Sequence, residues 1–294
     1  METTKYELTS DRLAVDITAP GQAYAGTRFD WSGFVTQVTL DGHHTFCVPE
    51  DYRPGQGTGG IGLCNEFGID QPIGFDSAKP GDPFPKLGVG LLTRLDKPDY
   101  SFWYPHQIAR NFPIAVHCEA DSTTFTVEPV DCRGYAARLV KVLSVVDNAL
   151  EIAYHLENTG ELPIRTNEYV HNFVGINQHT FGPDYQLTFP YKPVIESPSE
   201  MKEILEVSGN TIRQREAPVA PFYARLLGFQ PTDQPQWELA HLPSGVRMRE
   251  TVDFSPVRVA MWGANHVISV EVFIDIHLQP GESKRWRRRF EFLD

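Results

Sequence analysis

Apolar and polar side chains alternate at every second position over long parts of this 294-residue chain. Period two is the period of a β-strand, and it recurs in five stretches, which are 34–42, 123–130, 135–160, 185–195 and 267–292. Turn signals, such as Asp41-Gly42 and Asp147-Asn148, close or divide several of the runs. The pattern predicts an all-β protein of large antiparallel sheets. Without a linker or internal repeat to divide it, we expect a single domain over residues 1–294.

One segment, 197–209, has the features of a helix instead. Ser197 suits an N-cap, Pro198 the first helical position, and Glu200 completes a capping box. Apolar residues follow at helical spacing, and Gly209 lies just beyond the expected end. We therefore expect one short helix in an otherwise β-rich chain.

The charge balance is acidic, with a formal net charge of −12 at pH 7. Such a field repels a phosphate backbone, so we expect no nucleic-acid partner. The basic run 284–290 predicts a final strand with solvated arginines on its outer side. No signal segment and no apolar run of about 20 residues is found, and the four cysteines form no CxxC pair. We expect a cytoplasmic protein without membrane contact, as a monomer or a homodimer.

Two motifs can be set aside on their local context. The GxGxxG pattern at 55–60 lacks the strand before it and the helix after it that a nucleotide-binding turn requires. His43 and His44 are adjacent, so on a strand they point to opposite faces and do not readily share one metal. We expect no cofactor and no metal ion.

The segment 165–177 places an imidazole between two aromatic rings. On a strand, Tyr169, His171 and Phe173 share one face, and Glu168 and the two valines at 170 and 174 share the other. The flat CH surfaces of a sugar pack well on aromatic rings, so His171 could act on a bound carbohydrate. The alternative is an inert, hydrogen-bonded histidine in an aromatic cluster.

The segment 268–278 carries a carboxylate, Glu271, on the face opposite its apolar residues, as the segment 165–177 carries His171. Its even-numbered residues from 270 to 278 form a continuous apolar face, and Glu271, Phe273, Asp275 and His277 lie on the other face. If Glu271 lines a cleft, burial raises its pKa and suits it to proton transfer near neutral pH. The alternative is a solvent-facing polar row.

Four motifs, taken in order, resemble the galactose mutarotase-like (aldose 1-epimerase) superfamily. The sequence HQIAR at 106–110 is similar to the HGFAR motif of its hexose-6-phosphate branch, and GGIGLCNEFG at 59–68 is similar to that branch's GGIPxCWPQFG loop. The strand and turn at 150–164, followed by YVHNF, and the C-terminal VEVFIDIHLQPGESKRW resemble two further superfamily patterns. The resemblance spans roughly residues 59 to 290.

The resemblance implies a β-supersandwich fold and the interconversion of the α and β anomers of a free sugar. It implies that Glu271 is the base towards the anomeric hydroxyl and that His171 is the acid at the ring oxygen. His106 and Arg110 would hold ring hydroxyls, or support His171. Two other functions are compatible with the same scaffold: non-catalytic carbohydrate binding, and a lyase or hydrolase reaction on a glycoside.

The chain departs from the family patterns at several positions. The histidine strand can also be aligned so that Glu168 occupies the histidine position, although the aromatic face favours His171. Thr58 replaces an arginine of the sugar-phosphate branch and Gln107 replaces a glycine, so a neutral sugar is as compatible as a phosphorylated one. Two tryptophans, Trp31 and Trp262, are either sugar platforms or core residues.

Overall fold

The computed structural model describes residues 4–196, 204–230 and 236–294. Within these ranges nearly all of the regular structure is β-strand, and the strands pair antiparallel. The all-β prediction is therefore confirmed. The strands form two large sheets of ten described strands each and one small sheet of three.

The first large sheet carries the residues on which the functional predictions depend. In spatial order its strands are β1 (Lys5–Thr9), β2 (Leu13–Thr18), β3 (Phe34–Leu40), β5 (Leu63–Phe67), β13 (Ile164–Asn172), β22 (Val267–Leu278), β21 (Arg258–Ala264), β18 (Phe222–Leu227) and β15 (Val194–Glu196), and β4 (His44–Thr45) pairs with β3.

The second large sheet packs against the first. In spatial order its strands are β16 (Leu205–Ser208), β17 (Thr211–Gln214), β14 (Tyr185–Thr188), β19 (Gln236–His241), β20 (Arg247–Val252), β23 (Ser283–Leu293), β12 (Ala149–Asn158), β11 (Ala137–Val146), β10 (Ser122–Val127) and β9 (Ile114–Cys118). The small sheet consists of β6 (Pro83–Lys86), β7 (Gly90–Thr93) and β8 (Ile108–Asn111), and a 3-10 turn covers Ile176–Gln178.

The main hydrophobic core lies between the two large sheets. Val170 and Ile274 of the first sheet belong to the same buried cluster as Leu143 and Phe290 of the second. The period-two patterns of β13 and β22 explain this packing, since their apolar face is directed at the second sheet. The opposite face of the first sheet is left free to form a site.

The segment predicted to be a helix is only partly described. Residues 197–203 lie outside the described ranges, but Leu205–Ser208 is the strand β16, so the helix prediction is wrong there. β16 pairs with β17 around Gly209, and Leu205 is buried in the core while Glu206 is exposed. Strand pairing and burial therefore decide the structure of Leu205–Ser208, whereas the capping residues 197–200 lie outside the described ranges.

The basic C-terminal run forms a strand, as predicted, but not all of its arginines are solvated. Trp286, Arg288 and Phe290 face the core, and Arg287 lies on the outer side. Arg288 is fully buried because it pairs with Glu168 and Glu250, at 2.8 Å in each case. No helix within the described ranges has the length and apolar character needed to cross a membrane.

Candidate active site

His171 lies on the free face of the first sheet, surrounded by aromatic rings. Its ring stacks on Phe173, with centroids 4.0 Å apart and planes 11° apart, and Trp262 meets it edge-on at 5.2 Å. Gly60 makes room for this stack, because a Cβ atom there would come within 2.2 Å of the Phe173 ring. The strand alternation therefore placed His171 on the correct face.

Glu271 lies directly opposite His171 because of the strand register. Arg165 of β13 pairs with His277 of β22, and the bridge between Val174 and Ile268 continues the same register beyond them. Counting inward from either pair places residue 171 level with residue 271. The structure accordingly brings His171 Nε2 to 3.3 Å from Glu271 Oε1.

The backbone ladder between β13 and β22 changes near this pair. The Asn172 side chain donates a hydrogen bond to the carbonyl of Val270 at 2.7 Å, and its backbone N–H donates to Ser269 Oγ at 3.0 Å. Side-chain bonds thus replace backbone bonds next to the histidine. They hold the two strands in register where Glu271 and His171 face each other.

Burial controls the protonation of this pair. Glu271 is 3% exposed, and burial raises its pKa to about 8. Burial, assisted by the charge of Arg28, lowers the pKa of His171 well below its usual value. At neutral pH the pair therefore holds one proton, carried by Glu271. The Nδ1 atom of His171 is buried and has no hydrogen-bond partner among the described residues.

We expect Glu271→Gln to raise the melting temperature by a few degrees at pH 8 to 9. A carboxyl whose pKa is higher in the folded than in the unfolded protein makes folding less favourable as pH rises from about 4.5 to about 8. Glutamine does not titrate, so the gain over the wild type should grow through that window. Thermal melts of both proteins from pH 5 to pH 9 measure this gain in melting temperature. A gain that does not change with pH would contradict the assignment of Glu271 as a buried, neutral acid.

Arg28 is the second charged group at this site. It is buried, and its Nε donates to Glu66 Oε2 at 2.8 Å while Nη2 donates to the Tyr169 hydroxyl at 3.0 Å. Its guanidinium also lies over the Phe102 ring, 3.9 Å from the centroid. Arg28 thereby places a fixed positive charge beside the histidine strand.

Glu66 balances the charge of Arg28 from the neighbouring strand β5. Its Oε1 atom accepts a hydrogen bond from the fully buried Lys86 at 3.1 Å, and its Oε2 atom, which Arg28 contacts, also accepts one from the Tyr169 hydroxyl at 2.6 Å. Burial alone would raise the pKa of Glu66, but Lys86 and Arg28 outweigh it and lower that pKa. Glu66 therefore remains ionised and holds Arg28 in place.

Sequence patterns did not reveal Arg28, Glu66 or Lys86 as site residues. Arg28 belongs to the RFDWSG segment, which has no strand period of its own, and it meets Tyr169 across 141 sequence positions. The one available signal was the presence of charged residues within otherwise apolar surroundings, as at Lys86 between Pro85 and Leu87. That signal does not identify their partners.

A cleft of about 1070 Å³ opens in front of Glu271 and His171. Its inner wall includes Tyr169, Trp262 and Phe273. Of the two tryptophans considered as sugar platforms, Trp262 lines the cleft. Trp31 is buried in a second core cluster, where its indole N–H donates a hydrogen bond to the carbonyl of Gly26.

The arginines that line the cleft are all paired with carboxylates. Arg28 pairs with Glu66, and the other two pairs are Arg53 with Asp51, at 2.7 Å, and Arg258 with Asp70, at 2.8 Å. Among the described residues, every arginine that lines the cleft already pairs with a carboxylate. An anionic ligand would therefore have to compete with that carboxylate for the arginine.

His106 and Arg110 do not reach this cleft. His106 is buried behind Tyr100, with the two rings stacked at 5.4 Å, and its Nδ1 donates to the carbonyl of Thr93 at 3.1 Å. Arg110 lies exposed on β8 of the small sheet. The predicted contacts of both with ring hydroxyls have no geometric support, because neither residue lines the cavity.

The residues just before His106 form a wall of the cleft instead. Tyr100, Ser101, Phe102 and Trp103 all line it. His106 therefore supports Tyr100 from behind, and burial lowers the pKa of its imidazole. The sequence feature was correctly located, but its aromatic residues rather than its basic ones face the cavity.

The alternative that placed Glu168 at the histidine position has no geometric support, because Glu168 does not line the cleft. Glu168 lies on the core face of β13, where Arg288 donates to it at 2.8 Å and Trp286 at 3.1 Å. His171 is the residue of this strand that reaches Glu271.

The chain resembles known proteins in its fold but not in its sequence. No family model matches the chain, and no curated protein matches it in sequence. Solved structures do match over the full length. A protein from Escherichia coli K12, provisionally named an aldose 1-epimerase, gives a TM-score of 0.64 at 13% identity, with 99% of each chain covered.

Two further structures agree with this match. A galactose mutarotase-like protein from Clostridium acetobutylicum gives a TM-score of 0.62 at 8% identity, with 100% of this chain and 99% of that chain covered. An aldose epimerase homologue from C. elegans gives 0.58 at 13% identity, with 99% of each chain covered. The chain has the galactose mutarotase-like fold. The resemblance predicted from the sequence is therefore confirmed for the fold. Within this fold, Glu271 and His171 lie together on the face of the first sheet that is directed away from the second sheet.

Proposed function

We propose that the protein is an aldose 1-epimerase that interconverts the α and β anomers of a free sugar. The observation that carries the proposal is the contact of Glu271 with His171, at 3.3 Å, on the inner wall of an aromatic-lined cleft. The names of its structural neighbours support the same class of reaction.

Anomer exchange requires two coordinated proton transfers. One group removes the proton of the anomeric hydroxyl while another protonates the ring oxygen, the C1–O5 bond breaks, and the open-chain aldehyde forms. After rotation about the C1–C2 bond, closure on the other face reverses both transfers. Each group must therefore act in turn as acid and as base, which requires pKa values near the working pH.

The Glu271–His171 pair meets this requirement with a single proton. In the ion-pair form, Glu271 takes the anomeric proton and the imidazolium of His171 protonates the ring oxygen. That form differs from the neutral form, which burial favours, only by transfer of one proton across the 3.3 Å contact. The two reacting oxygens of a sugar share one carbon atom, so two adjacent side chains can serve both.

The walls of the cleft suit the remainder of a sugar. Trp262 and Phe273 offer flat apolar surfaces for its CH faces, and Tyr169 lies beside them with a hydroxyl fixed by Arg28 and Glu66. We propose that these residues hold the ring while Glu271 and His171 exchange protons with it.

We expect kcat/KM for exchange to be level through neutral pH and to fall as pH rises through about 8. Above that pH Glu271 loses the last proton of the pair, and on the acid side activity falls only below the lowered pKa of His171. Saturation-transfer NMR at each pH measures the exchange rate. The rate measured with Glu271→Gln gives the background exchange that the buffer itself catalyses. A rate that continues to rise to pH 10 would contradict the one-proton pair.

The proposal is tested by measuring anomer exchange for a panel of free aldoses and reducing disaccharides, by polarimetry or two-dimensional exchange NMR. Acceleration of at least one sugar, saturable and proportional to protein concentration, is expected. Saturable binding of a sugar without exchange anywhere in the panel would contradict the enzymatic assignment and favour a binding protein.

A further inference from the structure

The exposed aromatic residues of this protein are concentrated at one place. All of its Phe, Tyr and Trp residues lie within the described ranges, and three of them are exposed: Trp103 at 64%, Tyr52 at 56% and Tyr223 at 46%. All three line the cleft. Because exposed apolar surface collected at a cavity marks a binding surface, these rings identify the mouth of the cleft as part of the ligand site.

The rings at the mouth are supported by their neighbours. Trp103 lies against Phe102, with centroids 4.9 Å apart, and Phe102 is anchored on the guanidinium of Arg28. Tyr52 lies against His266, at 4.7 Å, and His266 is held by the carbonyl of Pro49 at 3.0 Å. The mouth therefore offers supported aromatic platforms.

The size and charge of the cleft narrow the choice of ligand. Its volume of about 1070 Å³ is just above the roughly 300–1,000 Å³ typical of sites for drug-sized ligands, which are larger than one sugar ring. Each of the three lining arginines is paired with a carboxylate, which favours an uncharged ligand.

We infer that the cleft mouth is a second sugar subsite and that the substrate is an uncharged reducing disaccharide. This inference rests on the proposed function: the reducing ring lies at Glu271 and His171, and the second ring stacks on Trp103 and Tyr52. The inner and outer aromatic residues then serve consecutive rings of one ligand.

The test compares each monosaccharide with reducing disaccharides built from it, such as glucose with maltose and cellobiose, and xylose with xylobiose. Anomer exchange and calorimetric binding are measured for the wild type, for Trp103→Ala and for Val146→Ala. Val146 is an exposed apolar residue outside the cleft lining, so its variant is the matched control. We expect one disaccharide to exceed its monosaccharide by about tenfold or more in kcat/KM, and Trp103→Ala to reduce that ratio about fivefold.

The outcomes separate the inference from the proposed function. Equal rates and affinities for mono- and disaccharides, unchanged in ratio by Trp103→Ala, would overturn the second subsite while leaving the epimerase assignment intact. Absence of exchange for every sugar, with disaccharide binding that still requires Trp103, would overturn the epimerase assignment and support the subsite. Preference for a phosphorylated sugar would overturn the uncharged substrate.

Discussion

Glu271→Gln is expected to reduce kcat for anomer exchange by a factor of roughly 10²–10⁴ while the fold remains intact. Glutamine keeps the size and burial of the side chain but cannot take or release the proton that the pair must move across its 3.3 Å contact. His171→Asn should cause a loss of the same order, because it removes the other proton carrier. Exchange NMR under saturating sugar measures both.

Asp275→Asn is the matched control for this experiment. Asp275 lies on the same strand and the same face as Glu271, but it is exposed and outside the cleft lining. The same carboxylate-to-amide change should therefore leave the rate unaltered. Wild-type rates in Glu271→Gln or in His171→Asn would remove these residues from the chemistry.

Arg288→Met is expected to lower the free energy of unfolding by about 3–5 kcal/mol at pH 8. Arg288 is fully buried between the sheets, where it donates to Glu168 and Glu250 at 2.8 Å and to the carbonyl of Val272. Methionine fills the space but leaves two buried carboxylates without their counter-ion. Urea denaturation measures the loss.

The pH dependence of this loss distinguishes a charge effect from a packing effect. Burial already raises the pKa of Glu250 with Arg288 present, so without Arg288 the Glu250 carboxyl should protonate more readily as pH falls. The deficit should therefore be smaller at pH 5 than at pH 8. Arg289→Met, next to it but about 41% exposed at its side chain, should cost less than about 1 kcal/mol. An equal deficit at both pH values would indicate a loss of packing alone.

Strand alternation was sufficient to predict the strand face on which each of the two proposed catalytic residues, Glu271 and His171, lies. Tyr169 and His171 of β13 line the cleft, whereas Val170 between them faces the core, because successive side chains of a strand point in opposite directions. The same periodicity separated Glu271 from the apolar face of β22.

Local patterns were insufficient where a residue's role depends on its partners. HQIAR indicated the right region, yet the turn before β8 directs Trp103 towards the cleft and buries His106 behind Tyr100. Arg28 and Glu66 follow no periodic pattern, and a loop residue can point in many directions until its long-range contacts are formed.

The sequence by itself determined the all-β class and the strand faces on which Glu271 and His171 lie, since these depend on short-range alternation. The tertiary structure decided which charges meet. It placed Arg28 beside Glu66, Arg288 beside Glu168, and the exposed aromatic rings around one cavity. Burial and pairing are properties of residues brought together from distant parts of the chain, so only the folded protein specifies them.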